Sequence, residues 1–164
     1  MNLPKRKPTR LKKFDYSSEG YYFVTICTQN RKNILSDIIV GEGFPLPQLT
    51  TKGKIAEKYI IDVNKKYSCI KIEKYVIMPN HIHLILSIEN DGRGNPSPTI
   101  SNVIGWLKYN ITKQINKTHN KVGENIFQRS FHDHVIRDED DYLKIWNYID
   151  TNPQKWEDDC FYTE

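Results

Sequence analysis

The segment MPNHIHLIL, residues 78–86, places two of the chain's five histidines two positions apart in an otherwise apolar run. Strand side chains alternate, so His81 and His83 share one face with Ile85, Ser87 and Glu89, while Ile82, Leu84, Leu86 and Ile88 line the other. The even face is core; the odd face is suited to something polar. Two imidazoles at i and i+2 on a strand can converge on one divalent metal ion. They can equally be two half-exposed histidines with no task, and a second such pair, His132 and His134, shows how readily the pattern arises. A third ligand and a nucleophile would distinguish the two.

The C-terminal segment DEDDYLKIWNYIDTNP offers both. Tyr142, Ile145, Trp146 and Ile149 recur at i, i+3, i+4 and i+7, the apolar stripe of a helix lying on a core. Tyr148 is off that stripe, about 110° from its centre, beside Asp141, Lys144 and Asn152. Tyr148 and Asn152, one turn apart on the same side, can address a single point. Tyr142 reads as packing. A polar-side tyrosine followed by an amide, near paired histidines, has the makings of a phosphoryl-transfer site.

The elements that must position these groups follow from periodicity. YYFVTICT (21–28) reads as a strand, and Ile55, Tyr59, Ile60 and Val63 mark a helix that a threonine can cap. IKIEKYVIM (70–78), a Pro79–Asn80 turn and the histidine strand form a hairpin. NDGRGNPSPT (90–99) is a loop. Ile100, Val103, Ile104, Leu107 and Ile111 share a helical face, residues 127–137 alternate as a strand, and acidic residues from 138 open the last helix, which stops at Pro153. Strand, helix, strand, strand, helix, strand is the split βαβ order of an α+β, ferredoxin-like antiparallel sheet with helices on one face. The C-terminal tyrosine-bearing helix is an addition to that plan, and the sheet's other face is left for a site.

A chain of 164 residues fits one domain with a core of its own, and its composition, 38% apolar and 27% charged, is that of a globular protein. Cys27, Cys69 and Cys160 form no CxxC pair and read as reduced thiols, which with the missing signal-peptide and membrane-span patterns points to a cytoplasmic protein. Residues 1–16 hold six cations (Lys5, Arg6, Lys7, Arg10, Lys12 and Lys13) against one aspartate, whereas the remainder holds 18 basic and 19 acidic residues, so the +4 excess sits in this arm. Such an arm binds nucleic-acid backbones or is a solvated tail. Residues 17–164 form the single domain.

MPNHIHLIL resembles the histidine–hydrophobe–histidine motif of the single-tyrosine HUH transposases, and YIDTNPQKW resembles their tyrosine helix. Further stretches, among them YYFVTICTQNRKNIL, KYVIMPNHIHLIL and FQRSFHDHVIRDEDD, are similar in the same order to the REP-associated tyrosine transposases, relatives of small insertion-sequence transposases. The resemblance implies that His81, His83 and Asn152 hold a divalent cation, Mg²⁺ or Mn²⁺. It implies that Tyr148 attacks single-stranded DNA to give a 5′-phosphotyrosine and a free 3′-hydroxyl, at hairpin-flanked repeats, with no membrane partner. Lys108, Lys113, Arg129 and Arg137, with the basic arm, would contact the DNA, and exposed tyrosines would stack on unpaired bases, whereas Trp106 reads as core more than as a stacking residue. A hairpin-binding regulator without turnover, and a replication initiator or relaxase, are the alternatives. Monomer and homodimer are both open.

Overall fold

The computed structural model describes residues 14–39, 43, 45–89 and 98–163. Four strands form the main sheet: β1 (Gly20–Cys27), β4 (Ile70–Ile77), β5 (His81–Ile88) and β6 (His132–Ile136), in the order β4-β5-β1-β6. All neighbours pair antiparallel. This is the ferredoxin-like order expected from the sequence. A separate antiparallel hairpin, β2 (Ser36–Ile39) and β3 (Leu46–Leu49), was not foreseen. The strand expected over 127–137 is shorter, because Phe127 makes only an isolated bridge to Thr28 before β6 begins.

Helices α1 (Thr51–Lys66) and α2 (Ile100–Thr118) cover one face, packing Ala56, Ile60, Val63, Val103, Ile104, Leu107 and Ile111 onto Tyr22, Val24, Ile26, Ile82, Leu84 and Leu86. Each helix starts at a threonine, Thr50 or Thr99, whose side chain accepts a backbone N–H three residues on. Thr50 also donates to the Ile34 and Leu35 carbonyls, which draws α1 onto that segment. The approach is so close that a Cβ on Gly53 would lie 2.0 Å from the Leu35 oxygen; only glycine fits there.

The opposite face is not open. Helix α3 (Glu139–Thr151), capped by Asp138, lays Tyr142, Ile145, Trp146 and Ile149 against Phe23, Val76, Ile85 and Ile136. Lys74 of β4 clamps it, with its ammonium 2.6 Å from Asp150 and 4.0 Å from the centre of the Trp146 ring. The fold is therefore a sheet between α1–α2 on one side and α3 on the other. Beyond α3 the chain runs through a 3₁₀ turn, Asn152–Asp158. Among the described residues no helix is long and apolar enough to cross a membrane. Of the basic arm, Phe14 and Tyr16 pack against the α1–α2 core; Lys5, Arg6, Lys7, Arg10, Lys12 and Lys13 lie outside the described residues.

Candidate active site

Side-chain alternation in β5 sends His81 and His83 to the α3 face, as expected, but not to a solvated surface: both are buried. Their ring Nε2 atoms lie 3.0 Å apart. His81 Nδ1 donates to Asn80 Oδ1 (2.9 Å), whose own amide is committed to the Phe161 carbonyl. That fixes the bare nitrogen of neutral His81 at Nε2; in the tautomer that binds metal through Nε2, His83 donates from Nδ1 to Thr25 Oγ1, 2.8 Å away, and its Nε2 is bare as well. Burial holds His81 down to about 4, against the opposing pull of the Asp159 carboxylate, and holds His83 well below the usual imidazole range. Both rings are neutral at physiological pH, the state in which imidazole binds metal.

The helix stripe decides between the tyrosines. Tyr142 packs, whereas Tyr148 lies over Phe23 of β1, its ring 5.2 Å from that of His83 and its hydroxyl 3.3 Å from His83 Nε2. Burial, and then the Asp159 carboxylate, drive its phenol pKa upward. One turn later Asn152 is buried and faces His81; its amide donates to Asp159 Oδ2 at 2.6 Å.

The structure adds residues the sequence reading missed. Asp159 Oδ2 also accepts from the Tyr148 hydroxyl at 3.4 Å. His81, His83 and Asp159 present ligand atoms all within 4.8 Å of one another, a set able to hold a metal ion. Phe161 lies over the pair, its ring 4.7 Å from that of His81. Arg31 steadies this strap through the Cys160 carbonyl (3.2 Å) and the Phe161 ring; it sits in a left-handed loop with Asn30, at φ 52° and 56°. The run of acids in WEDDC was the one signal for Asp159, and nothing in it singles out the third.

The donor set fits a divalent cation. Two nitrogens each about 2.1 Å from one ion at right angles stand about 3 Å apart, which is the spacing of the two Nε2 atoms. The oxygen of Asn152 is buried without a hydrogen-bond partner, a cost that an ion would relieve. Two imidazoles with two oxygens suit Mn²⁺ better than Mg²⁺, which prefers oxygen.

The other candidates scatter. Lys108 spends its ammonium on the Gln128 and Arg129 carbonyls. Lys108 and Arg129 border a groove beside α2, and Arg137 stands at the start of α3 with Asp138 and Glu139. His134 pairs with Asp141 at 2.7 Å, and the His132 ring is 6.1 Å from Phe161. Trp106 packs edge-on against Tyr59 and Tyr67 and is half-buried against the α1–α2 core, the role its sequence reading favours.

Residues 16–152 match the family described as "Transposase IS200 like". An Escherichia coli K12 protein named REP-associated tyrosine transposase is 30% identical over 85% of this chain and 70% of its own. An uncharacterized Haemophilus influenzae protein is 31% identical over 97% and 94%, respectively. Among solved structures, that of a REP-associated tyrosine transposase bound to a REP hairpin aligns with a TM-score of 0.58 and 24% identity over 89% of this chain and 73% of that one, a likeness of fold.

Proposed function

This chain belongs to the IS200-like transposase family and is a tyrosine transposase; from that premise we propose that it cuts and rejoins single-stranded DNA at hairpin-flanked repeats through a phosphotyrosine at Tyr148. The observation that carries this reading is the convergence of the Tyr148 hydroxyl with the His81–His83 pair and Asp159.

His81, His83 and Asp159, with the Asn152 oxygen as a fourth donor, would hold a divalent cation, whose charge would offset that of the scissile phosphate and the departing oxygen. Neutral Tyr148 is a poor nucleophile, and the Asp159 carboxylate makes it poorer while its charge is uncompensated. The same carboxylate, hydrogen-bonded to the phenol, accepts its proton as the Tyr148 oxygen bonds to phosphorus. The bond from phosphorus to the 3′-oxygen breaks, and that oxygen takes up a proton from solvent water. The products are a 5′-phosphotyrosine and a 3′-hydroxyl, with the ester's energy kept for rejoining. His83 and Phe23 hold the Tyr148 ring edgewise in position. The hairpin partner is inferred from the solved relative bound to a REP hairpin, and the basic arm, with Arg129 and Arg137, would add phosphate contacts.

The test is incubation with a library of hairpin-bearing single strands and Mn²⁺. Covalent protein–DNA adducts that form with Mn²⁺ and disappear in EDTA support the reading; cleavage that persists in EDTA refutes it.

A further inference from the structure

A groove of about 710 Å³ runs between the outer side of α2 and residues 125–129, away from the histidine pair; Tyr109, Lys113, Asn116, Gln128 and Arg129 are among its walls. Its chemistry is unlike that of a passive surface fold. Tyr109 lies off the apolar stripe of α2 and is 64% exposed, a bare aromatic face in mid-helix. The Lys113 ammonium stands 5.8 Å from its ring. Among the described residues neither Lys113 nor Arg129 has a carboxylate partner. Asn116 donates to the Glu124 carbonyl at 3.1 Å, and its buried side-chain oxygen has no partner. Lys108, also a DNA candidate by sequence, ties down the groove's far wall through two backbone carbonyls.

That wall is continuous with the candidate active site. Gln128 N–H donates to the Cys27 carbonyl (2.9 Å), and Gln29 N–H to that of Ile126 (2.8 Å). Cys27 is the residue opposite His81 in the β1–β5 register. A strand lying in the groove therefore runs toward the end of β1 at which His81 stands.

We propose that this groove seats the unpaired stretch of the DNA strand, with one base stacked on Tyr109 and the flanking phosphates met by Lys113 and Arg129. An exposed aromatic beside two unpaired cations is the pattern that binds single strands without needing a defined sequence. A duplex stem, whose bases are already stacked, has no use for the Tyr109 face. The inference rests on the DNA reading given above.

The test compares two probes in EDTA, where no cutting occurs: a mixed-sequence single strand and a blunt hairpin of the same composition. Tyr109→Ala should weaken single-strand binding roughly tenfold, leave hairpin affinity unchanged, and be rescued by Tyr109→Phe. Lys113→Ala with Arg129→Ala should flatten the log–log salt dependence for the single strand by about 1.4, at ~0.7 per phosphate. These positions are exposed, and unchanged thermal melting verifies the fold. Groove variants that bind both probes like wild type, an equal loss for both probes, or wild-type protein that binds the hairpin but not the single strand would each overturn the groove assignment alone. Wild-type protein that binds neither probe overturns the DNA reading, and the groove with it.

Discussion

Tyr148→Phe removes one oxygen and keeps the ring. In the folded protein that oxygen makes two long contacts, 3.3 Å to His83 Nε2 and 3.4 Å to Asp159 Oδ2, against about 2.8 Å for a good O–H···O bond. At that length the pair is worth roughly 1 kcal/mol or less. The ring keeps its edge contacts with Phe23 (centroids 6.1 Å) and His83 (5.2 Å). The variant should therefore melt within about 4 °C of wild type, the shift that 1 kcal/mol produces in a domain of this size. Its effect on cleavage is of another order, because the missing atom is the one that bonds to phosphorus: turnover should fall roughly 10⁴-fold or more. The assay is a denaturing gel of end-labelled hairpin-bearing strand incubated with Mn²⁺, followed by mass spectrometry of the adduct. Wild type should carry the nucleotide on the peptide containing IWNYIDTNP, and Tyr148→Phe should form none. Tyr142→Phe is the control; its ring packs 5.0 Å from that of Tyr21, so it should cut at the wild-type rate. An adduct on another tyrosine, or efficient cutting by Tyr148→Phe, would refute the reasoning.

Three further outcomes are expected. Asp159→Asn keeps the side chain's shape but removes the carboxylate from the His81–His83–Asp159 set; Mn²⁺ affinity by titration calorimetry should drop at least about tenfold, and an unchanged affinity would remove Asp159 from the ligand set. His81 titrates near 4 when folded and near 6.5 when unfolded, so between those values the unfolded chain binds the extra proton. Stability of the metal-free protein is thus full above about pH 6.5 and declines as pH falls toward 4; urea melts in EDTA should lose roughly 2–3 kcal/mol from this group between pH 7.5 and 4.5, and a flat profile would contradict its burial as a neutral ring. Gly53→Ala, favourable by about 1 kcal/mol in an unconstrained helix, should instead destabilise by roughly 1–3 kcal/mol, since its Cβ would meet the Leu35 oxygen at 2.0 Å; a raised denaturant midpoint would show that α1 can stand off.

How much of this was legible in the sequence depends on whether a residue sits on a periodic element. His81 and His83 follow from strand alternation, and Tyr148 and Asn152 from the helical period of a stripe whose core members, Ile145, Trp146 and Ile149, were visible by type. Asp159 follows Pro153 and a 3₁₀ turn kinked at Lys155 (φ −110°, ψ 25°), where no period carries over from α3, so its return to the histidines is a tertiary fact. The β2–β3 hairpin has four-residue strands, one of them holding Pro47, too short to register as alternation. Alternation also tells which face a side chain takes but not what covers that face. The odd face of β5 reads as polar, yet α3 and the Phe161 strap bury it.

That burial is what makes the pair useful. A solvated imidazole is partly protonated near neutral pH, and each proton must leave before a cation can bind. Sealing His81 and His83 under α3 and Phe161 penalises the charged forms, so both nitrogens wait as neutral donors, oriented by Asn80 and Thr25. Two unprotonated rings and an amide oxygen without a partner leave the centre short of positive charge, with Asp159 alone supplying formal negative charge to the ligand set. The same deficit keeps Tyr148 protonated. Metal affinity and nucleophile activation are thereby coupled through one carboxylate: a cation that neutralises Asp159 also removes the repulsion that disfavours the phenolate. The α1–α2 core on the far side of the sheet takes no part in this balance and can supply the stability that the buried polar centre costs.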